Sequence, residues 1–246
     1  MKQHHRLGAL VLVVVPLSAL LAGVAMSPAC GIHDVTIVAP TRNLGCEVQR
    51  QLQVPVGASM LFYPLNQITE QVQRCYRVKD VSVERLPPHQ LTVTVTARQP
   101  FVTLDDGDGF TIVSRDGICL YRKGQAPPKT PVFRGLLATK PELGTAIPLE
   151  RLLWVQDLLA GAAKVSLQEG LRVDFTQPHS IQITTPDGLR GVLGNVNNLS
   201  RKMTIFGRLA QQLRQEGKAP GRIDVSTMET PVWTMKQGLG KTADGA

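Results

Sequence analysis

Three aspartates stand close together in the stretch Asp105-Asp106-Gly107-Asp108-Gly109, which is the strongest candidate for a metal site in the chain. Carboxylate oxygens are the ligands that calcium prefers, but the spacing differs from that of an EF-hand loop and its distal glutamate is missing. Aspartate and glycine are also the residues that tight turns favour. We therefore predict a hairpin turn at this position and no metal.

The other reactive residue types lack the patterns that chemistry requires. The 4 cysteines and 5 histidines show no C-x-x-C spacing and no grouping of ligands. No serine lies in a G-x-S-x-G motif, and the remaining carboxylates are scattered. The sequence thus predicts neither an enzyme nor a site for a cofactor or small-molecule substrate.

The chain is basic, with a formal net charge of +8, but its charges are spread along the sequence. Aromatic residues make up only 4% and no block of five like charges occurs, so a nucleic-acid groove is not supported. A basic surface is compatible with an acidic partner or an anionic membrane face, and most simply with ordinary solvation.

An uncharged apolar run, Leu7–Met26, is long enough to cross a membrane. Its 20 residues, at about 1.5 Å rise per residue, cover the roughly 30 Å of hydrocarbon in a bilayer. Lys2 and Arg6 precede the run and no charge follows it until Asp34, so we expect a cytoplasmic tail and an exported remainder. The alternatives are a cleaved secretory signal and, with less support, lipid attachment just after the run.

The exported part begins with a pattern of short elements. Between Leu91 and Ala97, apolar residues alternate with threonines, which indicates a half-buried strand. The predicted order is strand, helix, helix, strand, strand, at Val35–Ile37, Glu47–Leu52, Leu65–Cys75, Val81–Arg85 and Leu91–Ala97. Three strands with two helices on one face make a compact α+β module.

Nine residues around these last two strands stand at characteristic intervals: Val78, Val83, Arg85, Pro88, Leu91, Val93, Val95, Arg98 and Pro100. In this spacing the chain resembles the FtsQ/DivIB cell-division proteins. Tyr76, Val81 and Ala97 depart from the family pattern, which has Pro, Ala and Glu there. In that family the pattern ends a polypeptide-transport-associated (POTRA) domain, so the resemblance implies a junction motif at Arg85, Pro88, Arg98 and Pro100.

The resemblance continues through most of the second half. Segments Ser114–Ile118 and Thr130–Gly135 are similar to turn and strand motifs of the family. Apolar stripes along Leu149–Ala163 and Asn198–Glu216 predict two helices packed on a sheet. Further strands are predicted at Leu171–Phe175, Ile181–Thr185, Arg190–Leu193, Ile223–Ser226 and Val232–Met235.

These patterns predict an α+β fold with a single N-terminal transmembrane helix. A small β-α-α-β-β POTRA module follows, and then a larger mixed α/β domain in which helices pack on a β-rich sheet. The predicted divisions are a cytoplasmic tail at 1–6, the transmembrane helix at 7–26, the POTRA domain at 32–98, an FtsQ-type β domain at 99–236 and a disordered tail at 237–246.

The last predicted strand, Val232–Met235, is a natural sheet edge whose unpaired N–H and C=O groups can accept a strand from a partner. The resemblance implies partners of the FtsB and FtsL type, which are bitopic division proteins, bound near the last strands. The residues predicted for this interface are Asp224, Ser226, Thr230, Val232, Trp233, Thr234 and Met235. For Trp233 a place in the core is an equal alternative, because alternation turns either Trp233 or its neighbours inward.

Cys46 and Cys75 lie at the start of one predicted helix and the end of the next, and antiparallel helices would bring these ends together. In an oxidising exterior the two residues could form a disulfide that closes a loop of about 30 residues. Two buried free thiols are the alternative.

The prediction for function is therefore a membrane-anchored, non-enzymatic divisome component at the septum, held in the inner or plasma membrane by one helix. It would bind neither nucleic acid nor a small-molecule substrate. POTRA modules also occur in envelope proteins for polypeptide transport or outer-membrane assembly, usually in arrays, and this is the first alternative. A periplasmic enzyme with an unrecognised site is the second.

Overall fold

In the computed structural model, which describes residues 31–177, 179–218 and 220–235, the chain divides into two units with the boundary between Arg98 and Gln99. Over these described ranges, no helix combines the length and the apolar character that a membrane crossing needs. The predicted span Leu7–Met26 and the predicted tail at 237–246 lie outside them.

Alternation along the middle strand organises the sheet of the first unit. In β3 (Gln90–Ala97) the side chains of Leu91, Val93 and Val95 are buried, while the threonines between them point the other way. The strand β1 (Asp34–Val38) pairs with β3 in parallel, and β2 (Val78–Leu86) pairs with it on the other side, antiparallel. The predicted order of strand, helix, helix, strand, strand is confirmed.

Two helices, α1 (Arg42–Gln51) and α2 (Leu65–Gln73), supply the rest of this core. Each buries a pair of apolar side chains four residues apart, which lie on one helical face. The pairs are Leu44 with Val48, and Ile68 with Val72. The hydroxyl of Thr41 accepts a hydrogen bond from the Leu44 N–H at 3.4 Å and so caps the start of α1.

The second unit contains a nine-stranded sheet. Its strands are β4 (Pro100–Asp105), β5 (Phe110–Ser114), β6 (Cys119–Lys123), β7 (Val132–Arg134), β8 (Arg172–Asp174), β9 (Ile181–Thr184), β10 (Arg190–Gly194), β11 (Arg222–Asp224) and β12 (Val232–Thr234). The spatial order is β12-β11-β10-β9-β8-β7-β4-β5-β6, with parallel pairing only for β11–β10, β8–β7 and β7–β4. Within the described residues, the sheet therefore ends at β12 on one side and at β6 on the other.

Two long helices, α3 (Leu149–Ala163) and α4 (Leu199–Gln215), form the core of this unit together with one face of the sheet. The bounds of α3 are those that the sequence predicts. The buried side chains of the two helices include Leu152, Val155, Leu158 and Leu159 from α3 and Leu199, Met203, Phe206 and Ala210 from α4. They contribute to one cluster with strand residues such as Phe133, Ile183 and Ile223.

The aspartate-rich stretch Asp105–Gly109 forms the predicted turn between β4 and β5. Asp105 accepts a hydrogen bond from the Gly107 N–H at 3.0 Å, and Asp106 accepts one from the Thr111 hydroxyl at 2.6 Å. The Asp108 carboxylate lies 3.7 Å from the Lys140 ammonium group. Within the described part of the chain, no three potential ligands are grouped so that they could hold a metal ion.

The disulfide hypothesis for Cys46 and Cys75 does not hold in the structure, because both thiols are free. Cys46 is exposed on α1, whereas Cys75 lies in the core just after α2. Desolvation by burial raises the pKa of the Cys75 thiol above its usual value. Burial likewise raises the pKa of Cys119, to about 11.

We predict that only Cys46 among these three thiols reacts quickly in the native protein. The thiolate is the reactive form, and the raised pKa values of Cys75 and Cys119 keep those buried groups protonated. The measurement is labelling with a thiol reagent at pH 8, on a Cys30→Ser variant so that only the three described cysteines contribute. One thiol should label in the native protein, and all three should label after unfolding without reductant. A single reactive thiol in the unfolded, unreduced protein would restore the disulfide hypothesis.

Candidate interaction edge

The two ends of the nine-stranded sheet differ in how far they are covered. At β6, the N–H of Cys119 donates to the carbonyl of Thr145 at 3.0 Å, and the N–H of Gly144 donates to the carbonyl of Cys119 at 2.8 Å. Arg122 also donates from its side chain to the carbonyl of Pro141. The loop before α3 thus bonds to this end of the sheet.

The charge of the two end strands differs as well. The exposed residues of β6 include Arg122 and Lys123, and charged side chains on an edge strand discourage pairing with another strand. The segment Pro231–Met235, which contains β12, has no ionisable side chain. Among the described strands only β11 pairs with β12, so the outer side of β12 is open there.

Trp233 fixes β12 to the rest of the unit. Its side chain is half-buried and packs against the core cluster, while Val232 and Thr234 on either side are exposed. The ammonium group of Lys218 lies 5.3 Å from the centre of the indole ring, within range of a cation–π interaction. Of the two alternatives for Trp233, the structure places its ring against the core, and its neighbours face outward.

Gly221 allows β12 to approach closely at the start of β11. A Cβ atom at this position would lie 2.4 Å from the carbonyl oxygen of Thr234 and 2.9 Å from the indole nitrogen of Trp233. Both distances are shorter than any normal contact with a methyl group. A side chain of any size at Gly221 would therefore push β12 away from its neighbour.

Outward-facing side chains of β11 and β12 line a groove of about 450 Å³. The antiparallel register sets Arg222 opposite Thr234 and Asp224 opposite Val232, which places all four on one face. The groove residues are Arg222, Asp224, Ser226, Thr227, Thr230, Val232 and Thr234.

Five of the predicted interface residues line this groove, and two do not. Trp233 projects from the other face of the sheet, toward the core, and Met235 is exposed just after the end of β12. Sequence reasoning missed Arg222 and Thr227. Arg222 lies two residues before Asp224 and so shares its face, which alternation alone could have indicated. No signal in the sequence marks Thr227, because a loop carries it into the groove.

Asp224 and Ser226 shape the loop that closes one end of the groove. The Asp224 carboxylate accepts hydrogen bonds from the Ser226 N–H at 2.9 Å and from the Ser226 hydroxyl at 2.6 Å. The N–H of Val225 donates to the carbonyl of Val192 on β10 at 2.9 Å. The turn after β11 is therefore tied both to itself and to the sheet.

The two arginines of the junction motif donate hydrogen bonds to main-chain carbonyls of the first unit. Arg85 donates to the carbonyl of Tyr63 at 2.7 Å, and the side chain of Arg98 donates to the carbonyl of Tyr76 at 2.9 Å. The family pattern has a glutamate where this chain has Ala97. In this chain the side chain of Arg98 bonds to a main-chain carbonyl. Pro88 follows a cis peptide bond in the turn between β2 and β3, and Pro100 begins β4.

Two family descriptions match the chain in consecutive segments. Residues 33–98 match the family described as POTRA domain, FtsQ-type. Residues 102–226 match the family described as cell division protein FtsQ/DivIB, C-terminal. The second match ends at Ser226, before β12 begins.

Curated relatives give a concordant result. The cell division protein FtsQ of Mycobacterium tuberculosis is 28% identical over 205 residues, which cover 83% of this chain and 61% of that protein. The cell division protein DivIB of Clostridium acetobutylicum is 22% identical over 193 residues, covering 74% of this chain and 73% of that protein. The chain thus spans less than two thirds of the length of the mycobacterial relative.

A solved structure was also found. The major extracytoplasmic domain of the division protein DivIB from Geobacillus stearothermophilus aligns with a TM-score of 0.31 at 13% identity. The alignment covers 49% of this chain and 97% of that one.

We predict that Gly221→Ala loosens β12 selectively. The added methyl group would overlap the Thr234 carbonyl, and overpacking of this kind costs about 1–3 kcal/mol. The indole ring of Trp233 should then become more exposed, with emission shifted to longer wavelength and a lower free energy of unfolding in urea.

Gly124→Ala is the matched control for this change, because nothing lies within 4 Å of a Cβ atom at that position. It should leave both the emission and the stability close to those of the parent. Parental emission and stability in the Gly221→Ala protein would contradict the close approach of β12.

Proposed function

Because this chain belongs to the FtsQ/DivIB family of cell-division proteins, we propose that it is a non-enzymatic component of the division machinery. In this proposal Leu7–Met26 anchors it in the inner or plasma membrane, with residues 1–6 in the cytoplasm and the two units outside it. There it binds other bitopic division proteins of the FtsB and FtsL type and helps to link septal assembly.

The observation that carries this proposal is the open, uncharged edge at β12. A backbone edge offers N–H and C=O groups that water must otherwise satisfy, and an added strand from a partner satisfies them directly. The opposite end of the sheet is a poorer choice, since β6 has exposed basic residues and hydrogen bonds to a loop.

Selectivity would come from the groove beside β12. Every second residue of an added strand projects onto the groove face, where it meets side chains of β12 and β11. A guanidinium group at Arg222 and a carboxylate at Asp224 lie side by side there, together with the apolar Val232. The groove therefore suits a strand whose groove-facing residues include both polar and apolar side chains.

We predict that Thr234→Glu abolishes partner capture while leaving the fold intact. Thr234 is exposed on β12, so a carboxylate there remains solvated in the free protein. In the complex the carboxylate would lie on the groove face, where the side chains of the added strand would cover and desolvate it, and we expect at least a tenfold loss of affinity, or about 1.4 kcal/mol. The measurement is co-purification of the full chain with the FtsB- and FtsL-type proteins of the same cell, followed by septum counts in cells depleted of the parent chain.

The matched control is Thr36→Glu, which places the same charge on β1, an exposed edge strand of the first unit. This variant should capture partners and restore septa, whereas Thr234→Glu cells should remain filamentous. Normal capture and normal septa with Thr234→Glu would remove β12 from the interface. Loss of capture with Thr36→Glu alone would assign the interface to the first unit.

A further inference from the structure

Exposed apolar side chains gather at one end of the first unit. Phe62 is 71% exposed and Leu61 52% exposed in the loop between α1 and α2, and Val56 in the same loop is 83% exposed. Large apolar side chains that cluster on a surface in this way mark a site of contact with another apolar body.

This loop and the turn after β2 lie beside the point where the described chain begins. The N–H of Ile32 donates to the carbonyl of Ala58 at 2.8 Å, and the N–H of Gly57 donates to the carbonyl of Ile32 at 2.9 Å. On the other side, the N–H of His33 donates to the carbonyl of His89 at 3.0 Å. Residues 31–33 are thus held between this loop and the turn after β2.

The loop is fixed, so its exposed side chains cannot simply fold inward. Met60 in its middle is fully buried in the core of the unit. The N–H of Tyr63 donates to the carbonyl of Ser59 at 2.9 Å, and Arg85 holds the carbonyl of Tyr63 at 2.7 Å. Leu61 and Phe62 therefore project from a braced turn.

The sequence places this end of the unit close to the membrane. Only four residues, 27–30, lie between Met26, the end of the predicted span, and Gly31. Even fully extended, the five residue steps from Met26 to Gly31 span about 18 Å. Gly31 must then lie within that distance of the point where the chain leaves the hydrocarbon, and the loop at 57–59 pairs with residues 31 and 32.

The absence of charged residues in the loop also favours contact with the bilayer. From Gln51 to Thr69 the chain has no Asp, Glu, Lys or Arg. Burial of a charged side chain in the headgroup and acyl region is costly, whereas aliphatic and aromatic side chains enter it readily. The patch matches the apolar side of a bilayer interface.

We propose that Val56, Leu61 and Phe62 insert into the outer surface of the lipid bilayer that the anchor crosses. This inference rests on the anchoring by Leu7–Met26 in the proposed function. The contact fixes the orientation of the first unit on the membrane, because a tether alone permits rotation and a second attachment point prevents it.

The test uses the full chain reconstituted into phosphatidylcholine–phosphatidylglycerol vesicles that contain brominated lipids, which quench tryptophan at known depths. Phe62→Trp places a reporter in the patch. Val38→Trp is the matched control, since Val38 is 49% exposed at the far end of β1. The native Trp154 and Trp233 contribute equally to both variants and to the parent, so the quenching beyond that of the parent is compared.

The reporter at position 62 should be quenched most by lipids brominated about 5–10 Å below the headgroup boundary, and shielded from acrylamide in water. The reporter at position 38 should show the reverse. Equal quenching at the two positions would overturn lipid insertion. So would cross-linking of a Phe62→Cys chain to a second copy, because the shielding at position 62 would then come from another protein. Release of the chain from the vesicles by alkaline carbonate would show that Leu7–Met26 is not an anchor, which would contradict the proposed function. A chain that stays bound but shows no quenching at position 62 would contradict only the contact proposed here.

Discussion

The hydrogen-bonding groups of an end strand must find partners, and this requirement determines where the second unit is able to meet another protein. Seven of the nine strands have a neighbour on both sides, which leaves β6 and β12 as ends. The loop at Gly144 and Thr145 bonds to β6, and the exposed basic residues of β6 oppose pairing with a further strand. In the described chain β12 pairs only with β11, so the hydrogen-bonding groups on its other side are unpaired there. The strand is short and uncharged, so no charge opposes pairing with a partner strand.

An edge can serve recognition only if it is held in place before the partner arrives. Trp233 anchors β12 through the core, and Gly221 lets the two strands approach at the start of β11. The bonds from Ser226 to Asp224 then fix the loop that bounds the groove. Binding to a rigid edge loses less conformational entropy than binding to a loose one, so these packing contacts support affinity without touching the partner.

Much of the fold could be predicted because local periodicity reflects burial. The stripe of apolar residues along Leu149–Ala163 predicted the bounds of α3, and the alternation of leucine and valine with threonine predicted β3. The order of the strands in space and the register of β11 with β12 depend on contacts between distant residues, which no local pattern encodes. For that reason Thr227 was missed, and Trp233 could not be assigned to the core before its neighbours were known. The disulfide hypothesis placed Cys46 at the start of a helix, whereas α1 begins at Arg42 and holds Cys46 exposed in its middle, while Cys75 is buried in the core.

The central claim is that the outer side of β12 pairs with a partner strand, and amide hydrogen exchange of the full chain with and without its FtsB-type partner tests it most directly. The account predicts slowed exchange of the amides of Val232, Trp233 and Thr234 in the complex, with little change in β6. Unchanged exchange in β12 together with new protection on α3, α4 or the first unit would contradict it.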